Sequence, residues 1–301
     1  ANGSPPDNDG GGIYVSAADV ILRHCVLTHS HADNFGSALY VSGTRITVSD
    51  CIFAGHTGNA VAYLSGEPAL FVRNQFLFNA TPNTIYAASG RVGIQFLHST
   101  FAGNQGYQLY QHHSGYSTAT NCILWGNTNT VMTGFHLSHC NIEGSGGSGV
   151  WTLPIGRDLA DEGGNIDTNP LFGVSLSGTW TQDPAYDAGT DRTTLTDANA
   201  AFPANRLRGA WINLAPGAGG GVALVVANSA TQVSVLGNAT ALATNGTAYE
   251  ALDVHLQSKQ GRWSRNGWIS DPAQSPCIDA ADPASAWDAE LAPNGGRANM
   301  G

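Results

Sequence analysis

The sequence predicts an all-β solenoid. Three observations predict it: short apolar runs recur at a near-constant interval, small residues and glycine separate them, and no long stretch places apolar residues at helical spacing. Glycine supplies 38 of the 301 residues, and charged residues only 11%, against a usual quarter. That mixture suits many short strands joined by tight turns.

The repeat comes first. Steps of a small residue followed by glycine occur at Ser42-Gly43, Ser65-Gly66, Ser89-Gly90, Ser114-Gly115 and Thr133-Gly134, spaced by 23, 24, 25 and 19 residues. Apolar runs precede them, LYV before Ser42, AYL before Ser65 and IYAA before Ser89. A second landmark follows in each unit: RHCVL, SDCIF, RNQFL, HSTFA, TNCIL and SHCNI. A unit this short cannot bury its own apolar face, whereas stacked units share one core. Leucine-rich repeats have similar lengths, but their fixed Leu and Asn positions are missing. A parallel β-helix with three short strands per coil fits.

The segments GGGIYVS, NCILWGNT and GGNIDTNPLF, with DVHLQS, SPCIDAADP and PNGGRANMG near the end, resemble right-handed parallel β-helix proteins of bacterial surfaces and secretions, solenoids of the pectate-lyase-like type. The resemblance covers residues 10–175 and 253–301. It implies a right-handed helix and an extracellular or cell-surface location. It implies no single activity, because the group holds adhesins, structural proteins and some polysaccharide-active enzymes. The chain opens without methionine in a turn-rich segment and ends inside a motif that the group usually continues. A processed or truncated piece of a longer protein is expected.

Three regions follow: coils over 1–177, a small β-rich insert over 178–252 with alternating strands and Gly-rich turns, and a return to the β-helix over 253–301. Just after the insert lies Gly261-Arg262-Trp263-Ser264-Arg265-Asn266-Gly267-Trp268. It reads as a loop pinned by two tryptophans, with a ligand cleft of Arg262, Trp263 and Trp268 as the alternative.

Strand side chains alternate sides, so a β-helix is read column by column. Aligned on the first strand, Ile13, Leu39, Ala62 and Tyr86 form one inward column, and Val15, Val41, Leu64, Ala88 and Met132 another. The column between, Tyr14, Tyr40, Tyr63, Ala87, His112 and Val131, points outward. Tyr14, Tyr40, Tyr63 and His112 are the candidate glycan face, since aromatic rings with polar tips suit sugar stacking.

In the third strand the columns read Cys25, Cys51, Gln75, Thr100, Cys122, Cys140, then Val26, Ile52, Phe76, Phe101, Ile123, Asn141, then Leu27, Phe53, Leu77, Ala102, Leu124, Ile142. All three cannot point inward at a period of two. The middle one is expected outside, giving an apolar interface stripe of Val26, Ile52, Phe76, Phe101 and Ile123. Cys25 with Cys51, and Cys122 with Cys140, are neighbours on successive coils; inward stacking without a bond is expected over disulfides. Asn79 and Asn104 share a turn column, with Asn127 one place off, and are expected to bond turn backbone.

The chemistry is sparse. Net charge is −10 and Lys259 is the single lysine, which argues against nucleic acid, whose phosphates need clustered cations. No apolar run reaches the length of a membrane span. Lyases on such folds need a basic residue and calcium carboxylates, and hydrolases need paired carboxylates. The coils between residues 13 and 142 carry only Asp19, Asp33, Asp50 and Glu67, with Arg23, Arg45, Arg73 and Arg91. None falls in the tyrosine column. His29, His31 and Asp33 form an H-x-H-x-D candidate metal site, and Asp279 and Asp282, with Asp288 and Glu290 near, a candidate calcium site. No other cofactor is implied. The reading is a non-catalytic extracellular structural or adhesive module that self-associates in a surface filament or matrix. The alternative is a polysaccharide lyase, glycoside hydrolase or glycan-binding module using the tyrosine face.

Overall fold

A computed structural model describes residues 9–88, 93–112, 116–129, 132–152, 159–216, 221–287, 290 and 295–301. Among these residues every regular element is a β-strand, and no helix is long and apolar enough to cross a membrane. The chain divides into two compact units, Ala1–Pro170 with Pro276–Gly301, and Leu171–Ser275. The sequence patterns had placed these divisions at 178 and 252. The strands Phe172–Thr179 and Ala248–Leu256 straddle those positions and pair with each other.

The first unit is a parallel β-helix. Each of its coils contributes one strand to each of three parallel sheets. The first sheet begins Ile13–Val15, Leu39–Ser42, Ala60–Ser65 and Asn83–Ala87, the second Val20–Arg23, Ile46–Ser49 and Ala69–Val72, and the third Val26–Thr28, Ile52–Ala54 and Gln75–Leu77. Backbone N–H and C=O groups therefore bond from coil to coil, and side chains stack on their counterparts.

The first-sheet register runs Tyr14, Tyr40, Tyr63, Tyr86, Tyr110, Thr133. This corrects the sequence alignment from the fourth coil onward. Ile85, not Tyr86, joins Ile13, Leu39 and Ala62 inside; Ala87 follows Leu64; and Met132 pairs with Leu109. One residue, Ala88, is added before the Ser89-Gly90 step, so alignment on that step slips by one. Val131 lies outside the described residues.

The third sheet holds the second correction. Its register is Val26, Ile52, Gln75, Thr100, Ile123, Asn141 outside and Leu27, Phe53, Phe76, Phe101, Leu124, Ile142 inside. Phe76 and Phe101 are thus core residues rather than part of an interface stripe. Phe53, Phe76 and Phe101 stack at ring-centroid spacings of 4.8 and 4.6 Å, and Phe71 stacks on Phe96 at 4.7 Å. Dispersion between aligned rings adds to their burial. Of the expected stripe, Val26 is 60% exposed, Ile52 half-buried and Ile123 buried. The returning segment covers Ile123: a Cβ on Gly301 would fall 2.7 Å from its Cδ1 and 3.0 Å from Thr100 Oγ1. Asn141 Nδ2 donates to Cys277 Sγ at 3.0 Å in the same segment.

Two inward ladders satisfy the turns. Before each third-sheet strand one residue takes left-handed backbone: His24, Asp50, Arg73, His98, Asn121 and His139, with φ between 48 and 59°. The next residue turns its side chain inward to accept an N–H from the coil above. Cys25 N–H donates to Cys51 Sγ, Cys51 N–H to Asn74 Oδ1, Asn74 N–H to Ser99 Oγ, Cys122 N–H to Cys140 Sγ, and Cys140 N–H to Asn165 Oδ1. Asn74 and Ser99, not Gln75 and Thr100, therefore share the cysteine column. All five cysteines are free thiols.

The second ladder is Asn79, Asn104 and Asn127, in one column. Each Oδ1 accepts the N–H of the residue above, and each Nδ2 donates to Phe53, Phe76 or Phe101 carbonyl oxygen. Above Asn79 the slot is held by His56. Its Nδ1 accepts Ser30 N–H at 3.2 Å and its Nε2 donates to Leu27 O at 3.0 Å. The imidazole reproduces both bonds of the asparagine amide in neutral form. Its burial depresses the pKa from 6.5 to about 4.

The second unit is one seven-stranded antiparallel sheet. Its strand order begins with Phe172–Thr179, Ala248–Leu256, Trp211–Asn213 and Val222–Asn228, and ends with Gln232–Leu236, Arg192–Thr196 and Ala185–Asp187. Trp180, Leu195, Ile212, Val225, Val233 and Tyr249 belong to its core. Tyr249 donates to buried Asp197 Oδ2 at 2.8 Å.

Two measurements test these registers. Phe76→Ala is expected to lower unfolding free energy by about 3–5 kcal/mol, and Gln75→Ala by under about 1 kcal/mol, in urea titrations. An outward Phe76 would reverse that order. For His56, the unfolded chain binds a proton between pH 6.5 and 4 while the folded chain does not. Stability conferred by neutral His56 is therefore full above pH 6.5 and lost as pH falls toward 4, by up to about 3 kcal/mol. His56→Asn is expected to keep the fold at pH 7 and to remove that part of the pH dependence.

Candidate functional site

The outward face of the first sheet carries the largest aromatic array. Tyr14, Tyr40, Tyr63 and Tyr86 stack ring on ring at centroid spacings of 4.7, 4.7 and 5.7 Å with planes within 10°. Tyr110 continues at 5.2 Å with its ring tilted 33°. Phe35 leans on the ladder at 4.8 Å from Tyr63 and 5.0 Å from Tyr86. His112 stands two residues beyond Tyr110, exposed, 6.2 Å from Tyr86 and 6.3 Å from Tyr110. It adjoins the ladder rather than forming a rung of it. Partial burial pushes the Tyr63 and Tyr86 phenols above their ordinary pKa.

The geometry decides what this face offers. Sugar stacking needs an open ring face. Here each ring between Tyr14 and Tyr86 has its faces against neighbouring rungs, so ring edges and hydroxyls meet solvent. Tyr86, Tyr110 and Phe35 were missed in the sequence. The flanking inward pairs Ile85/Ala87 and Leu109/Gln111 were the signal that places Tyr86 and Tyr110.

Acidic residues of the first unit bind backbone and neighbouring cations. Asp19 accepts from Thr44 Oγ1 and Arg45 N–H at 3.1 Å each. Asp50 pairs with Arg73 at 2.7 Å, and that bond holds its pKa down. Asp167 accepts from Gly144 and Gly146 N–H at 3.1 and 2.9 Å.

The candidate metal residues are similarly engaged. His31 Nδ1 lies 2.9 Å from Thr57 Oγ1, and its Nε2 lies 2.8 Å from Asp33 Oδ1. His29 takes left-handed backbone at φ 55°, which breaks the alternation that would align it with His31 and Asp33. Asp282 Oδ1 accepts Ala284 N–H; Asp279 differs, its backbone N–H donating to Asn299 Oδ1 while its carboxylate Oδ1 is buried without a hydrogen-bond partner among the described residues. Glu290 binds Asn299 through both carboxylate oxygens; Asp288 lies outside the described residues. Among the described residues no three His, Cys, Asp or Glu side chains converge as metal ligands.

In the second unit, Arg262–Ser264 and Gly267–Ile269 form a hairpin with Trp263 opposite Trp268. Arg262, not the tryptophans, pins it. Arg262 Nε donates to Asp271 Oδ2 at 2.8 Å and its Nη1 to Asp253 Oδ2 at 3.2 Å. Trp263 and Trp268 point the other way, 56% and 41% exposed, edge to face at 5.9 Å and 84°.

No curated protein and no solved structure matches the chain. Residues 6–153 match the family model described as a right handed beta helix region. That span covers most of the stacked coils of the first unit, and on both grounds the first unit is a right-handed parallel β-helix.

Proposed function

We propose that the chain is a rigid, non-catalytic structural and adhesive module of a cell surface or secreted matrix. The observation that carries this reading is the self-stacked tyrosine ladder. The face of the β-helix best furnished with aromatic groups uses its ring surfaces to hold coil against coil, and its acids serve turns and ion pairs. A polymer laid along that face meets ring edges and phenol hydroxyls, a surface for contact and not for proton transfer between positioned carboxylates.

Assembly fits the same reading. The first-coil residues Ile13, Val15, Val20, Leu22 and Leu27 pack on the core but are only half-buried. Among the described residues their strands are the end strands of the three sheets, and an edge of this kind can take a further strand.

The test is turnover. The purified chain, incubated with a panel of neutral and acidic polysaccharides, is expected to release no product above a heat-denatured control. Released oligosaccharide that disappears in Tyr40→Ala would overturn the proposal and favour an enzyme acting on the tyrosine face.

A further inference from the structure

We infer that the second unit carries a head-to-tail self-association contact: the tryptophan hairpin of one copy docks on the acidic turn Asp187–Arg192 of the next. This deepens the assembly proposed above and rests on that reading for its setting, while its own evidence lies wholly in the second unit.

The first half of the contact is cationic and aromatic. Arg265 sits exposed at the hairpin turn, and its side chain lies over Gly209: a Cβ there would fall 2.6 Å from Arg265 Cδ. Arg208, also exposed, precedes Gly209 in the chain. Arg206 reaches Asp271 at 3.3 Å, and exposed Lys259 follows Ser258, whose N–H binds the same carboxylate. Five of the chain's twelve Lys and Arg residues thus gather around the hairpin, against Asp253 and Asp271, in a chain of net charge −10. The two indoles are not what pins the hairpin, since Arg262 does that from the opposite face. Exposed Trp beside Arg is the composition of contact centres.

The second half is acidic with apolar neighbours. Strand Ala185–Asp187 is the last of the sheet and exposed throughout. Asp183, Asp187 and Asp191 stand exposed there with one cation, Arg192. Tyr186 donates to Asp191 at 2.8 Å. Leu236, 56% exposed, pairs with Arg192 in the sheet.

Strand order sets the two patches on different strands, the hairpin following the second strand of the sheet and the acidic turn joining its last two. Leu256 pairs with Phe172, leading into the tryptophan hairpin, while Ala248 at the far end of the same strand pairs with Thr179. Trp211 pairs with Leu252, Leu224 with Trp211, and Val225 with Val235, so Leu236 and its partner Arg192 fall level with Leu252, the middle of that strand. Five strand spacings of about 4.8 Å lie between Ala248–Leu256 and Ala185–Asp187 across the sheet. The ion pairs at the hairpin run to Asp253 and Asp271, and among the described residues none joins it to the acidic turn within one copy. Between copies the two patches form a heterologous contact, which propagates as a filament or closes as a ring. At physiological salt the screening length is about 8 Å, so each patch senses its partner more than the net charge of the other copy.

The test uses the full chain at 0.15 M salt, with mass followed by sedimentation or light scattering across concentration. The monomer of 31.2 kDa is expected to give way to multiples as concentration rises. Arg265→Asp and Asp187→Arg are each expected to weaken association about tenfold or more, and their combination to restore it. Trp263→Ala is expected to weaken it without moving the thermal transition. A chain that stays monomeric, or association indifferent to both charge reversals, would sink the proposal. So would a monomer in which Trp263 instead governs binding of an acidic polysaccharide, since the hairpin would then serve that ligand. None of these outcomes bears on turnover, so the reading of the first unit is judged separately.

Discussion

The structure of the β-helix depends on how its turns satisfy their backbone amides. Inside a strand each N–H finds the carbonyl of the next coil. At a turn the chain bends inward and that partner is lost, and a buried amide left unpaired costs about as much as the hydrogen bond it lacks. The chain answers with side chains from the coil below. Cys51, Asn74, Ser99, Cys140 and Asn165 serve one corner, and Asn79, Asn104 and Asn127 with His56 serve another. This requirement explains residue types that otherwise suggest chemistry. The cysteines are small inward acceptors, and burial pushes the Cys51 and Cys140 thiols up rather than toward reactive thiolate. His56 is an asparagine equivalent and not a base.

The stacked aromatics follow from the same vertical constraint. Once the turns hold each coil in register, whatever faces outward on one coil faces its counterpart about 4.8 Å away. That distance is close to the stacking distance of aromatic rings, so a tyrosine column becomes a ladder and a phenylalanine column becomes a core. The two differ only in side, which the alternation of the strand decides.

The repeat was legible in the sequence because its apolar runs recur, and so was the tyrosine column at Tyr14, Tyr40 and Tyr63. The register beyond them was not. Coils differ in length, so a column cannot be followed by counting. The residues that pin each corner, His24, Asp50, Arg73, His98, Asn121 and His139, share a left-handed backbone and no chemistry. Their neighbours were therefore aligned on apolarity, which set Phe76 beside Ile52 instead of Phe53. The covering of Ile123 depends on residues 150 or more positions away in the chain, as does the contact of Asn121 with Ser285. No local pattern carries that. In the second unit the alternating strands announced a sheet, but its extent followed from the pairing of Phe172–Thr179 with Ala248–Leu256, which runs through both expected boundaries.

The contrast between the two aromatic arrays bears on function. A ring whose faces are both occupied has spent its stacking capacity on the fold, and removing one rung leaves its neighbours to carry the gap. A ring held by a backbone pinned elsewhere keeps its capacity for another molecule. Tyr40 and Tyr63 are of the former kind and Trp263 and Trp268 of the latter, because Arg262 and its two aspartates fix the hairpin from behind. What separates them is whether the ring faces are taken up by neighbouring rings of the fold. By that criterion the proposed contact lies on the second unit and not on the tyrosine face.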